Sequence, residues 1–342
     1  MKNARFRDLL APVLTVCVLL PAMAGTWWRY YFEYSAPQPP PLSGMLYTDR
    51  LEAGGLERSF SFYAPLRLAA NPPLIVALHG ANSDGEKLRA FTGYEFDALA
   101  DRNGFLVAYP DSFAGSWNDC RVASRNQARR QGIDDVGFVK AVIANLQARY
   151  SVAGPVYVLG YSTGGLMVYR LAMETPETFA AAAAISANLP ADADSDCVAS
   201  KTPVSIAILN GTADQINPFE GGNPHNVWTV EMGSLQSAEQ SARYFAGLAG
   251  HAGQPQVERL PDRDRHPRTW VERRAWSGGP ANVELVAIHG GGHTISQPVV
   301  RQPRILGQTS ADVDTPQEIW RFFSQPFSQP DERLALATAM PR

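Results

Sequence analysis

Polar and apolar positions follow two rhythms along this chain. From Met45 onward, short and nearly continuous apolar runs are separated by stretches with helical spacing. The runs are Pro73–Leu78, Phe105–Tyr109, Val156–Leu159, Ala181–Ile185, Val204–Leu209 and Val283–Ile288, with Ser205 and Glu284 as their strongly polar interruptions. Apolarity of this length and continuity predicts strands buried on both faces of a parallel sheet. Arg58–Ala64 alternates with period two instead and predicts an antiparallel edge strand. Helices are expected at Glu86–Arg102, Asp135–Tyr150, Gly164–Glu174, Ser234–Leu248 and Pro316–Phe323, with Asp134 as the N-cap of the second. Strands alternating with helices in this way give an α/β fold, a doubly wound and mostly parallel sheet flanked by helices.

The start of the chain breaks the alternation. Lys2, Arg5 and Arg7 precede a stretch from Leu9 to Trp28 without a charge, and Ala22-Met23-Ala24 offers a small-x-small cleavage pattern. Residues 1–24 are therefore expected to be a signal peptide. The alternative is an uncleaved anchor reaching to about residue 28, with Trp27, Trp28, Tyr30 and Tyr31 at the membrane interface. A proline-rich linker over 25–44, a catalytic domain over 45–327 and a flexible tail over 328–342 complete the expected organisation. A secreted or periplasmic protein follows, membrane-attached only if the first segment is retained.

Composition narrows the classes. With 45% hydrophobic and 18% charged residues, the 342-residue chain is neither disordered nor a multi-pass membrane protein. A formal charge of −3 gives no basic surface for nucleic acid. Cys17 lies in the export segment, which leaves Cys120 and Cys197 to form a disulfide in an oxidising compartment. The spacing of Cys and His residues suggests no metal site.

Chemistry is sought after the apolar runs, because reactive groups of such sheets gather beyond the carboxyl ends of the strands. Val156–Leu159 leads into Gly160-Tyr161-Ser162-Thr163-Gly164 and then a helical pattern. This is the strand–turn–helix setting in which a serine projects from a sharp turn toward a helix N-terminus. A serine hydroxyl at neutral pH needs a base, and the base needs an acid to orient it. Val204–Leu209 leads to Asp214, and Val283–Ile288 leads to His293, which gives the order Ser, Asp, His used by α/β-hydrolases. Competing histidines are His225, His251, His266 and His289; competing acids are Glu220 and Asp196. The backbone N–H groups of Thr163 and Ala81, the latter in His79-Gly80-Ala81-Asn82, are the expected oxyanion donors. Trp117, Tyr109 and Tyr161 are candidates for lining the substrate pocket.

These residues bring the chain close to a known group. It resembles the secreted polyhydroxybutyrate depolymerase and feruloyl esterase-like α/β-hydrolases from about Arg58 to Phe323. The resemblance is carried by PLIVALHG at 73–80, YPDS at 109–112, Trp117 with Cys120, DDVGFV at 134–139 and GYSTGGLMVYRLA at 160–172. NGTAD at 210–214, GGGHT at 290–294 and IWRFF at 319–323 complete it. It implies ester hydrolysis through Ser162, Asp214 and His293 without metal or cofactor. Two positions depart from the pattern. Thr163 stands where the group commonly has Asn, and Ile295-Ser296 stands where it commonly has Trp-Pro, a tryptophan that shapes the pocket.

The expected activity is hydrolysis of hydroxyalkanoate, phenolic or short acyl esters, small or oligomeric, through a covalent acyl-enzyme. A serine peptidase of the same fold and a non-catalytic binding protein are the alternatives.

Overall fold

The computed structural model describes residues 23, 25–32, 34, 37–223, 233–263 and 268–326. Most of the expected export segment, the tail at 328–342, and His225 and His266 lie outside these residues. Among the described residues no helix is long and apolar enough to cross a membrane.

Among the described residues, ten strands form one sheet. They are β1 (Met45–Ala53), β2 (Leu56–Ala64), β3 (Leu74–Leu78), β4 (Leu106–Pro110), β5 (Val156–Tyr161), β6 (Ala181–Ile185), β7 (Ser205–Gly211), β8 (Gln256–Arg259), β9 (Trp270–Trp276) and β10 (Val283–His289). Their order is β1-β2-β4-β3-β5-β6-β7-β10-β9-β8. The run from β4 to β10 is parallel, and antiparallel strands extend it at both ends.

The six apolar runs are the six parallel strands. Period two sends alternate side chains to opposite faces, so each strand feeds two cores. Leu74, Val76 and Leu78 of β3 enter one cluster, while Ile75 and Ala77 enter the other. Helices α1 (Gly85–Phe91), α2 (Glu95–Asn103), α3 (Gln127–Arg130), α4 (Asp135–Tyr150), α5 (Thr163–Glu174), α6 (Ala238–Leu248) and α7 (Thr315–Phe323) surround the sheet. α4, α5 and α6 supply the first cluster through Val142, Leu166 and Phe245. α1, α2 and α7 supply the second through Leu88, Phe96 and Ile319. Burying each such side chain stabilises the fold by about 1.5–3 kcal/mol before conformational entropy is counted.

The two polar interruptions of the strands are satisfied where they sit. The Ser205 hydroxyl accepts the Asn282 N–H at 3.0 Å. Glu284 pairs with Arg321, and the Arg273 guanidinium lies 3.5 Å away. Asp134 caps α4, accepting the Gly137 N–H at 2.7 Å.

Two expectations need correction, and three strands went unannounced. Arg58–Ala64 is not an edge, since β2 pairs with β1 on one side and β4 on the other. Its polar positions have partners: buried Arg58 pairs with Asp135 at 2.8 Å, and the half-buried Ser59 hydroxyl donates to Asp111 at 2.7 Å. The helix expected over Glu86–Arg102 is two helices, because Gly93 and Tyr94 adopt φ of 69° and 60°. The buried Arg89–Asp97 pair ties the two together across that break. The unannounced strands β1, β8 and β9 lie toward the margins of the sheet, where exposure to solvent removes the need for apolar continuity.

Candidate active site

At the end of β5 the chain turns sharply into α5. Ser162 sits on that turn with φ 56° and ψ −120°, a conformation that side chains adopt only under strain. Its N–H is held by the Ile185 carbonyl at 2.8 Å. The flanking glycines are required by close approach. A Cβ on Gly160 would lie 2.2 Å from the Gly164 carbonyl oxygen, and one on Gly164 would lie 2.2 Å from that of Leu78.

Asp214 follows β7 on a turn of its own. One carboxylate oxygen accepts the N–H groups of Ile216 and Asn217, each at 2.8 Å. The other lies 2.7 Å from His293 Nδ1. His293 follows β10, and its N–H donates to the Leu306 carbonyl at 2.6 Å. Its Nε2 is 2.9 Å from Ser162 Oγ. Both His293 and Asp214 are buried. With Nδ1–H donating to the carboxylate, Nε2 presents a lone pair to the serine hydroxyl, so the row of groups can take a proton from Ser162 and hold the resulting charge.

The loop after β3 faces the same serine. A Cβ on Gly80 would stand 3.3 Å from Ser162 Cβ and 3.1 Å from the Tyr161 ring. His79 fixes this loop. The Ser112 N–H donates to its Nε2 at 3.0 Å, so its Nδ1 carries the proton and donates to the Gly80 carbonyl at 2.7 Å. Burial lowers the His79 pKa and keeps the ring neutral. On the far side, the Asn82 N–H is taken by the Gly115 carbonyl at 2.8 Å. Among the described residues, the N–H groups of Ala81 and Thr163 have no acceptor. Two unpaired donors beside a serine on a strained turn can stabilise an oxyanion.

A cavity of about 510 Å³ opens over Ser162 and His293. Of the three aromatic residues expected to line it, Tyr161 does. Trp117 and Tyr109 do not, since both are fully buried. The Trp117 indole donates to the His79 carbonyl at 2.8 Å, and the Tyr109 hydroxyl donates to Asp97 at 2.7 Å. Both aromatics satisfy polar groups beneath the site rather than meeting a ligand. Ile295, at the position of the expected tryptophan, is fully buried as well. Sequence reasoning missed Tyr34, Phe91, Ile216 and Leu306, which do line the cavity. They come from four separate segments, and no local motif signals their convergence.

The competing residues stand elsewhere. His289 stacks on Trp270 with ring centroids 3.5 Å apart, and His251 Nε2 contacts the Ala281 carbonyl at 2.9 Å. Asp196 pairs with Arg129 at 2.6 Å, and Glu220 is exposed. Cys120 and Cys197 form a disulfide with Cα atoms 5.1 Å apart. Among the described residues no cluster of His, Cys, Asp and Glu could hold a metal ion.

In sequence and in fold the chain is similar to proteins named as esterases. The family profile described as Esterase PHB depolymerase matches residues 58–204. NocK of Nocardia uniformis subsp. tsuyamanensis, named as an esterase, is 27% identical over 274 residues, covering 76% of this chain and 77% of that protein. Feruloyl esterase B of Thermothelomyces thermophilus is 33% identical over 126 residues, covering 36% of this chain and 42% of that protein. The structure of an acetyl xylan esterase from Aspergillus awamori superposes with a TM-score of 0.51 at 20% identity, covering 73% of this chain and 94% of that one. Fold and sequence relatives converge: the chain is a serine esterase of the α/β-hydrolase fold, and over residues 58–204 it is similar to the family described as Esterase PHB depolymerase.

Proposed function

We propose that Ser162 is the nucleophile, His293 the general base and Asp214 the acid that orients it, in an exported enzyme that cleaves hydroxyalkanoate, phenolic or short acyl esters. The observation that carries this reading is the unbroken row from Ser162 Oγ through the two nitrogens of His293 to Asp214, with gaps of 2.9 and 2.7 Å. Ser162 Oγ bonds to the ester carbonyl carbon while its proton passes to His293 Nε2. The oxyanion that forms is received by the N–H groups of Ala81 and Thr163. The C–O bond to the alcohol then breaks, and His293 returns the proton to the departing oxygen. Water, deprotonated by the same nitrogen, releases the acid and restores the serine.

The cavity supports the substrate class. Its apolar and aromatic wall of Leu88, Phe91, Tyr161 and Leu306 suits a short acyl or phenolic group, and Asn82, Ser83 and Lys87 offer polar contacts. The partner is then a small or oligomeric ester, with neither nucleic acid nor metal. Export is supported by the disulfide, which persists in oxidising compartments.

The test is a panel of acetyl, hydroxybutyryl and feruloyl esters offered to the wild type and to Ser162→Ala. Turnover should fall by about 10⁴–10⁶-fold in the variant, and a fluorophosphonate probe should label the wild type alone. Near-normal hydrolysis by purified Ser162→Ala would remove the assignment.

A further inference from the structure

One wall of the cavity over Ser162 comes from outside the sheet and its connections. Tyr34 lies ahead of β1 and belongs to no strand, yet it lines the same space as Ser162 and His293. Its hydroxyl donates to the Ala90 carbonyl at 3.1 Å, and its ring meets Phe91 edge-on with centroids 5.5 Å apart. Burial pushes the Tyr34 phenol up to about 12, so it remains a neutral donor wherever the enzyme works.

The contact continues inward. Phe91 lies 5.5 Å from the Tyr161 ring, and Tyr161 lies 5.3 Å from the His293 ring. Four rings thus run from the residue bonded to Ser162 out to the N-terminal segment, and Tyr34 is the outermost. The segment is also tied down upstream of Tyr34. The Arg304 guanidinium covers the Tyr30 ring at 4.2 Å, and its Nη1 donates to the Tyr30 hydroxyl at 2.7 Å. Two residues on, Leu306 lines the cavity and takes the His293 N–H on its carbonyl. One loop therefore holds both the main chain of His293 and Tyr30, four residues ahead of Tyr34.

We propose that Tyr34 is a specificity-determining residue: its ring closes the outer end of the cavity and limits the bulk of the ester group seated beside Ser162. The inference rests on Ser162 being the nucleophile. Tyr34 touches neither Ser162, His293 nor Asp214 through any hydrogen bond, so its removal should change which esters are accepted rather than how they are cleaved.

The test uses the full chain and two ester series. One extends the acyl group on p-nitrophenol from acetate to octanoate, and the other extends the alcohol of acetate esters from methyl to naphthyl. Tyr34→Ala should raise kcat/KM for the bulkiest members relative to the smallest by about tenfold or more in at least one series. The change should enter mainly through KM, with the pH profile of kcat unaltered. Tyr34→Phe keeps the ring and should keep the wild-type ranking. An unchanged ranking in both series for Tyr34→Ala would overturn the proposal, as would a uniform loss of kcat across every ester. Ser162→Ala assayed in parallel separates the two claims. Retained activity there removes the nucleophile assignment, whereas a flat Tyr34→Ala profile beside an inactive Ser162→Ala removes only the role of Tyr34.

Discussion

The hydroxyl of Tyr161 donates to the backbone carbonyl of His293 at 2.7 Å. The residue just before the serine thus holds the main chain of the residue proposed to receive the serine proton, 132 positions away. Neighbouring strands carry both ends of this bond only indirectly, since β6 and β7 lie between β5 and β10. Tyr161→Phe retains the ring and leaves a buried carbonyl without its donor. A stability loss of about 1–2 kcal/mol is expected, read by urea unfolding. We also expect kcat to fall by about 3–10-fold with KM nearly unchanged, because the imidazole loses a restraint while the cavity keeps its wall. Wild-type kcat in a variant of reduced stability would show that the bond serves the fold alone.

Asp214→Asn tests the acid. The amide oxygen can still accept from Ile216 and Asn217, so the turn should survive. Its NH₂ would then face His293 Nδ1 and favour the tautomer with hydrogen on Nε2, which leaves no lone pair for Ser162. A fall in kcat of about 10³–10⁴-fold with an unchanged melting temperature is expected from steady-state kinetics and thermal unfolding. Activity within tenfold of wild type would show that Asp214 does not set the tautomer.

Much of this arrangement can be read from the chain, and what cannot has physical causes. Strands buried on both faces must be apolar throughout, so β3 to β7 and β10 stand out; β9 reads WVERRAW and hides among charged loops because Arg273 and Arg274 form ion pairs at the surface. Ser162, Asp214 and His293 each follow a legible strand, which is why order alone picks them out. Trp117 and Tyr109 mislead because an aromatic side chain announces apolar area without direction. Their N–H and O–H groups turn inward to His79 and Asp97. Tyr34 and Leu306 have no pattern that marks them, because their place depends on how segments far apart in the chain converge on the cavity over Ser162.

Removing the disulfide should loosen the fold without touching the chemistry. Cys120 and Cys197 are 77 residues apart, and neither lines the cavity. Cys120→Ser/Cys197→Ser is expected to lose about 2–4 kcal/mol, seen as a fall of about 5–10 °C in Tm. Activity at low temperature should remain within about twofold of wild type.

Stability should also depend on Asp314, the N-cap of α7. Burial, with Glu95 nearby, raises its carboxyl from 3.8 to about 6. Between those values the folded state holds a proton that the unfolded state has lost, so stability declines as pH rises through this window and the penalty is complete above it. Asn caps as well as Asp and carries no charge. Asp314→Asn should therefore match wild type near pH 3.5 and exceed it above pH 7 by of order 1 kcal/mol after solvent screening. A difference in Tm that does not vary with pH would contradict this.

The turn that presents Ser162 sets activity against durability. With φ at 56°, position 162 has a backbone that glycine enters freely and any side chain resists. Ser162→Ala and Ser162→Gly should both be inactive, yet the glycine variant should be more stable than the alanine one by about 1 kcal/mol in urea unfolding, because it alone relaxes the turn. The protein would be sturdier with its reactive group deleted. Directed evolution that selected this chain for heat resistance alone would tend to abandon the serine, so any screen for a tougher enzyme must score turnover in the same round.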